Sequence, residues 1–226
     1  MPAVTLRRND FMDRQYIYER LCMFLFGIFS MSIGIALSCR ADLGTSPISS
    51  VPWVLSMIMP LTFGEITILM NIVFIAVQPI LMKKIYWRDL IGQFVTLLLF
   101  GYLIDYSMKL LSFVAPTITI YKWLYCLLGT VILALGIFLC VKAKIFVASG
   151  EGIVIAIAFA AKAKFSTVKN CFDITLVIIS SLISIYEFGI LKGVGAGTIA
   201  AAILVGRWVQ LYNTHFKFLN KYLPKR

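Results

Sequence analysis

Two polar residues inside long apolar stretches are the main candidates for chemistry in this chain. Asn71 and Asp173 are separated by 102 residues, and each falls within or near a long apolar segment. An ionisable side chain in the hydrocarbon core of a membrane is costly and usually faces a cavity or a partner. We therefore interpret the two residues as facing each other in a solute or proton site. The alternative is that Asp173 only pairs with Lys169, four residues earlier.

The separation of 102 residues recurs elsewhere and indicates an internal duplication. The sequence of residues 32–37 returns in similar form at 134–139. Phe63 matches Phe165 at the same separation. Gly92 matches Gly197, and Gly101 matches Gly206, at a slightly larger separation. Internal repeats in a membrane protein are typical of transporters and channels, in which the site lies between the repeats.

Composition predicts an all-α polytopic membrane protein. Apolar residues make up 61% of the chain, compared with about 45–50% in soluble domains. They form runs of the length that a membrane-spanning helix needs, about 20 residues. The six predicted spans are 21–39, 65–82, 90–113, 121–141, 166–186 and 194–212. We expect one membrane domain over residues 1–226, with repeats at about 21–113 and 121–212.

The distribution of charge predicts the orientation of the spans. The net charge is +11, and 21 residues are lysine or arginine. In this topology all but four of these cations lie on one side, and the four exceptions are Arg40, Lys109, Lys122 and Lys192. Because cytoplasmic loops are rich in lysine and arginine, both termini are predicted to be cytoplasmic. The expected partners of the cations are anionic membrane lipids rather than nucleic acid.

Each repeat also contains an apolar segment too short to cross a membrane, at about 47–59 and 151–161. A helix of twelve residues reaches only about 18 Å, whereas the hydrocarbon core is about 30 Å thick. If these segments do not cross, each repeat has three spans, and the second repeat is inverted relative to the first. The short helices either re-enter the membrane or lie at its interface.

The starts of the short helices are candidate binding sites. Thr45 and Ser46 precede Pro47, as expected for a helix cap followed by proline. Ser149 is the expected cap of the second short helix, with Gly150 and the acidic Glu151 in its first turn. A re-entrant helix that starts in a cavity would offer free N–H groups to an anion. The alternative is an ordinary cap on an interfacial helix, with Glu151 a plain first-turn acid rather than a gate or proton acceptor.

The cations that end the first span of each repeat suggest gates. Arg40 and Asp42 follow the first span, and Lys142 is the counterpart of Arg40 in the second repeat. One interpretation is an ion-gated mouth; the other is a tight connection with a local ion pair.

No cofactor, metal site or enzyme activity is predicted. The chain has a single histidine, His215, and its five cysteines form no CxxC pair. The glycine-rich sequence 193–198 has no preceding strand and is followed by a span. Together with Gly206, it is typical of a helix-packing face rather than a phosphate loop.

Two motifs resemble those of the YczE/YyaS/YitT group of bacterial membrane proteins. They are ADLGTSP at 41–47 and GVGAGT at 193–198, the latter followed by Gly206. The resemblance covers about 21–212 and implies a multi-pass protein of the bacterial cytoplasmic membrane, without implying a substrate. The chain has Ser49 where the group often has aspartate, and Gly150-Glu151 where it often has Gly-Pro.

We expect a transporter of a small polar or anionic solute. The alternative is an accessory or scaffold protein that assists a larger membrane complex and transports nothing. A water-filled cavity lined by both short helices would favour transport, and a solid core would favour the accessory role. A second copy of the chain is a further expected partner, in a homo-oligomer.

Overall fold

The fold is entirely helical over the part of the chain that the structure, a computed structural model, describes, which is residues 16–216. The eight helices are α1 (Ile17–Arg40), α2 (Pro47–Ser56), α3 (Phe63–Met82), α4 (Trp87–Leu110), α5 (Thr119–Ala143), α6 (Ser149–Ala160), α7 (Phe165–Phe188) and α8 (Ala196–His215). Five of them, α1, α3, α4, α5 and α7, are long and apolar enough to cross a membrane. The fold class is therefore that of a polytopic helical membrane protein, as predicted.

The sixth expected span is the exception. Helix α8 forms and has 20 residues, but it is not among the five helices that meet the criteria of length and apolar character. The reason is its second half, where Arg207, Gln210 and Asn213 interrupt the apolar run. Six spans remain a prediction.

The helix starts reproduce the internal repeat. The pairs of equivalent starts are Ile17 with Thr119, Pro47 with Ser149, and Phe63 with Phe165. Each pair is separated by 102 residues, the same separation as in the sequence. Each short helix also packs against a long helix of the other repeat: α2 packs against α7, and α6 packs against α3.

Helices α1 and α5 form the central pair and run antiparallel. A Cβ atom at Gly34 would lie 2.7 Å from the Gly129 oxygen, and one at Gly136 would lie 2.5 Å from the Gly27 oxygen. Residues that come later along α1 therefore contact residues that come earlier along α5. Because the two helices start equivalent repeats, the repeats run in opposite directions through the molecule.

Matching clamps hold the two ends of this central pair. Arg20 donates from Nε to the Ala143 oxygen and from Nη2 to the Lys144 oxygen, each at 2.8 Å. Its repeat mate Lys122 bonds Asp42 at 2.9 Å, just beyond the end of α1. A cation near a helix C-terminus is favourable because the last carbonyls lack partners. We name the two ends of the bundle the Arg20 end and the Arg40 end, after the residues of α1 nearest to them.

The predicted packing face on α8 is only partly used. Gly197 N donates to the Leu43 oxygen at 2.8 Å, so the start of α8 packs closely against the chain after α1. In the first repeat, a Cβ atom at Gly64 would lie 2.1 Å from the Gly101 oxygen, which shows how closely α3 and α4 approach. A Cβ atom at Gly206, the mate of Gly101, would have no described atom within 4 Å. The two repeats therefore differ in how their last helices pack.

Candidate functional site

The short helix α6 starts deep inside the bundle. Ser149, its first residue, donates from Oγ to Asn71 Oδ1 at 2.6 Å. Asn71 lies eight residues after the start of α3, which corresponds to about 12 Å along a helix of about 30 Å. The predicted cap is wrong in detail, because the N-cap is Ala148 and the Ser149 side chain turns away to Asn71.

Helix α2 is also inserted between the long helices. Ser180 of α7 donates to Ser50 Oγ at 2.9 Å, eight residues before α7 ends at Phe188. Arg40, at the end of α1, and Thr62, before the start of α3, line one cleft. The chain between them therefore returns to the end of the bundle from which it entered. Both short helices lie within the bundle and not along its surface, which fits the re-entrant alternative.

The starts of α2 and α6 meet. A Cβ atom at Gly150 would lie 2.2 Å from Cδ1 of Ile48. Ile48 and Gly150 are separated by 102 residues, so they are repeat mates. Their contact consequently lies on the pseudo-twofold axis that relates the repeats. Helix N-termini carry partial positive charge and unpaired N–H groups, so this junction is electrostatically suited to an anion.

Several predicted site residues surround the junction. Thr45 and Ser46 are buried immediately before α2, and Ser46 Oγ donates to Ser49 Oγ at 3.0 Å. Gly150 forms the contact itself. Glu151 follows it in the first turn of α6.

Asn71 and Asp173 are not bonded to each other, because each has another partner. The Asn71 amide donates to the Thr67 oxygen at 2.7 Å, while its own oxygen accepts from Ser149. Asp173 forms an ion pair with Lys169 within α7, as the alternative interpretation expected. The reason for the difference is that the repeat mate of Ser149 is Pro47, which has no hydroxyl group to donate to Asp173.

A pair of amides was missed from the sequence. Gln78 of α3 and Gln93 of α4 are buried and exchange two hydrogen bonds of 3.0 and 3.2 Å. Gln78 also donates to the Ser149 oxygen at 3.4 Å. A Cβ atom at Gly152 would lie 2.7 Å from Gln78 Oε1. Two amides inside predicted spans were the available signal, because polar groups at that depth need partners.

The predicted gate residues have different partners from those expected. Arg40 donates from Nη2 to the Met108 oxygen at 2.8 Å, and Asp42 pairs with Lys122 of α5. The prediction of a local ion pair in this connection, between Arg40 and Asp42, is therefore wrong. Asp42 has a φ angle of 57°, and the start of α5 lies beside it because α1 and α5 are antiparallel. Lys142 lies over the Phe138 ring, with Nζ at 5.8 Å from the centroid.

A cleft of about 480 Å³ with both polar and apolar walls opens at the Arg40 end, and we name it the Arg40 cleft. Its lining includes Arg40, Trp53, Thr62, Asp105, Met108 and Lys109. Asp105 accepts from Thr62 Oγ1 at 2.6 Å and from Gly64 N at 2.8 Å. Glu65 completes a capping box with Thr62 at the start of α3.

The fold and the site define a polytopic helical membrane protein with two antiparallel repeats whose short helices start at a shared junction. Residues 18–214 match a family of unknown function, DUF6198, and the chain belongs to that family. No curated protein and no solved structure shows significant similarity to the chain.

Proposed function

We propose that the protein is a membrane transporter of a small polar or anionic solute. The observation that carries the proposal is the contact between Ile48 and Gly150, at which the starts of the two short helices meet on the pseudo-twofold axis. In inverted-repeat transporters, the substrate site lies at the repeat interface, and the N-termini of broken helices point at anionic groups.

The proposed site consists of the residues around this junction. The solute would contact Thr45, Ser46, Gly150 and Glu151, and Asn71 would orient the start of α6 through Ser149. The proposed role of Asp173 is to exchange protons or charge during transport from its position beside Lys169. Gating is assigned to the cations and acids at the two ends of the central pair, and the residues concerned are Arg40, Asp42 and Lys142.

The proposed setting is the cytoplasmic membrane of a bacterium, with both termini and the Arg20 end in the cytoplasm. The support is the excess of lysine and arginine in the connections at that end and the resemblance to the YczE/YyaS/YitT group. This topology requires α8 to cross the membrane despite its polar second half.

Flux measurements on purified protein in liposomes test the proposal. The panel contains a halide, sulfate, phosphate and short carboxylates, with protein-free liposomes as the blank. We expect saturable flux of at least one anion. We also expect Gly150→Ala to change its apparent affinity, because the added methyl group must displace the flexible end of Ile48. Gly206→Ala, which adds a methyl group where no described atom is close, is the matched control and should leave flux unchanged.

One observation favours the accessory role as a second candidate. The junction is closely packed, since added Cβ atoms at Gly150 and Gly152 would lie only 2.2 and 2.7 Å from their neighbours. A folded, reconstituted protein with no saturable flux of any anion in the panel would support this role and reject anion transport.

A further inference from the structure

The Arg40 cleft is an open depression large enough for a small ligand, and it is separate from the junction. Its volume of about 480 Å³ lies in the range of small-molecule sites, about 300–1,000 Å³. Its floor is formed where α1 and α4 end and α3 begins. None of the residues that form the junction lines it.

The charges in the cleft leave a cationic surplus. The Asp105 carboxylate is already engaged by Thr62 and by the first turn of α3. Arg40 uses Nη2 for the Met108 oxygen, while its Nε is buried and has no hydrogen-bond acceptor among the described residues. Lys109 adds a second, exposed cation. Because Nε is buried, it is not presented to the cleft. Arg40 still lines the cleft, and a carboxylate is the acceptor that a guanidinium group binds best.

The remaining wall is apolar and aromatic. Trp53 and Phe63 pack with ring centroids 5.3 Å apart, and Leu61 and Met108 extend this surface. A ligand that fits both parts of the cleft has an anionic group at one end and an apolar body at the other.

The equivalent place in the second repeat lacks these features. The mate of Trp53 is Ile155, that of Thr62 is Lys164, and the mate of Asp105 is Gln210. The two repeats are therefore specialised differently, and of the two equivalent places only the one at the Arg40 end combines Trp53, the hydrogen-bonded Asp105 and an arginine.

We propose that the Arg40 cleft binds a small organic anion, a carboxylate with an apolar body. This proposal deepens the proposed transport function, in which the cleft is the place where the solute first binds. That role for the cleft rests on the transport proposal. Binding itself can be measured in detergent without transport.

The experiment compares two probes of the same shape on purified protein, 3-phenylpropionate and its neutral analogue 3-phenylpropan-1-ol. Binding is followed by the change in tryptophan fluorescence, with Trp53→Phe identifying the Trp53 signal. We expect saturable binding of the acid at least about tenfold tighter than that of the alcohol, as expected for a charge-assisted hydrogen bond. Equal affinities, or no saturable binding of the acid, would overturn the proposal.

Variants locate the site. Arg40→Gln should weaken binding of the acid about tenfold. Arg40 also holds the end of α4, so the Arg40 variant can fail to fold. In that case Lys109→Gln is the deciding variant, and it should weaken binding of the acid about two- to fivefold. Lys192→Gln is the matched control, since Lys192 is a cation near the same end that packs over Phe188 instead. If the Lys109 and Lys192 variants weaken binding equally, the effect comes from general surface charge, and the proposed site is wrong.

The two proposals fail separately. Tight binding of 3-phenylpropionate without flux of any anion rejects transport and leaves the cleft as a binding site. Anion flux without preferential binding of the acid rejects the cleft and leaves transport at the junction.

Discussion

Replacement of Gly34 by alanine tests the antiparallel packing of α1 and α5. The new Cβ atom would lie 2.4 Å from Leu133 N and 2.7 Å from both Leu133 Cα and the Gly129 oxygen. All three are backbone atoms, so rotation of a side chain cannot relieve the contact. The helices must separate by roughly 1 Å to restore ordinary van der Waals distances, and overpacking of this kind costs about 1–3 kcal/mol.

The net effect is smaller than this cost because alanine is the better helix former. Alanine regains about 0.5–1 kcal/mol over glycine inside a helix, which leaves a net loss of at most about 2.5 kcal/mol. Gly206→Ala is the matched control, since it adds the same atom where no described atom lies within 4 Å. It should stabilise the protein by about 0.5–1 kcal/mol.

Thermal unfolding in detergent measures the difference between these variants. A thiol-reactive dye reports unfolding, because Cys39 and Cys126 are buried and free. The two variants differ by the overpacking cost of about 1–3 kcal/mol. At about 2–4 °C per kcal/mol for a chain of this size, Gly34→Ala should melt about 2–12 °C below Gly206→Ala. A Gly34→Ala variant that melts at or above the temperature of the Gly206 variant would refute the close approach of α1 and α5.

Three further outcomes are expected. Asp105→Ala should cost about 1–2 kcal/mol in thermal unfolding because Thr62 Oγ1 and Gly64 N at the start of α3 lose their acceptor, whereas Asp89→Ala, at the exposed start of α4, should change stability by less than about 0.5 kcal/mol. Asp173→Asn should lose pH-dependent uptake with a stability change within about 0.5 kcal/mol, since it breaks an i,i+4 pair; unchanged pH-dependent uptake would exclude a coupling role. A cysteine at Lys84 should be labelled only from the cytoplasm and one at Thr117 only from outside, and external labelling at Lys84 would contradict the inverted topology.

The repeat and most spans could be predicted from the sequence because they depend on local composition. An apolar run of about 20 residues is sufficient to predict a span. Phe63 and Phe165, which the sequence matched as repeat positions, are the first residues of α3 and α7. Helix α8 shows the limit of this reasoning, because the glycines and alanines of its first half hide the polar character of its second half.

The partners of the polar residues could not be predicted, because they depend on side chains that the repeats do not share. Asn71 and Asp173 are at equivalent positions, but one meets a serine and the other would meet Pro47. The separation of residues along one helix gives no information about which groups of another helix lie opposite. For the same reason, the sequence indicated the two short helices but not the contact between their starts.

A disulfide between Ile48→Cys and Gly150→Cys tests most directly whether the two short helices start at a shared junction. The Cβ position at Gly150 lies 3.6 Å from Ile48 Cγ1, the atom bonded to Ile48 Cβ, so the two β-carbons lie near the upper end of disulfide spacing, about 3.5–4.5 Å. The five native cysteines are replaced, and a protease site is added between α4 and α5 so that cleavage separates the repeats. After oxidation and cleavage, the two halves should migrate together on a denaturing gel and separate on reduction. The control pair, Ile48→Cys with Gly152→Cys, should give separate halves, since Gly152 faces Gln78. Separate halves from the Ile48 and Gly150 pair, or cross-linked dimers, would contradict the shared junction.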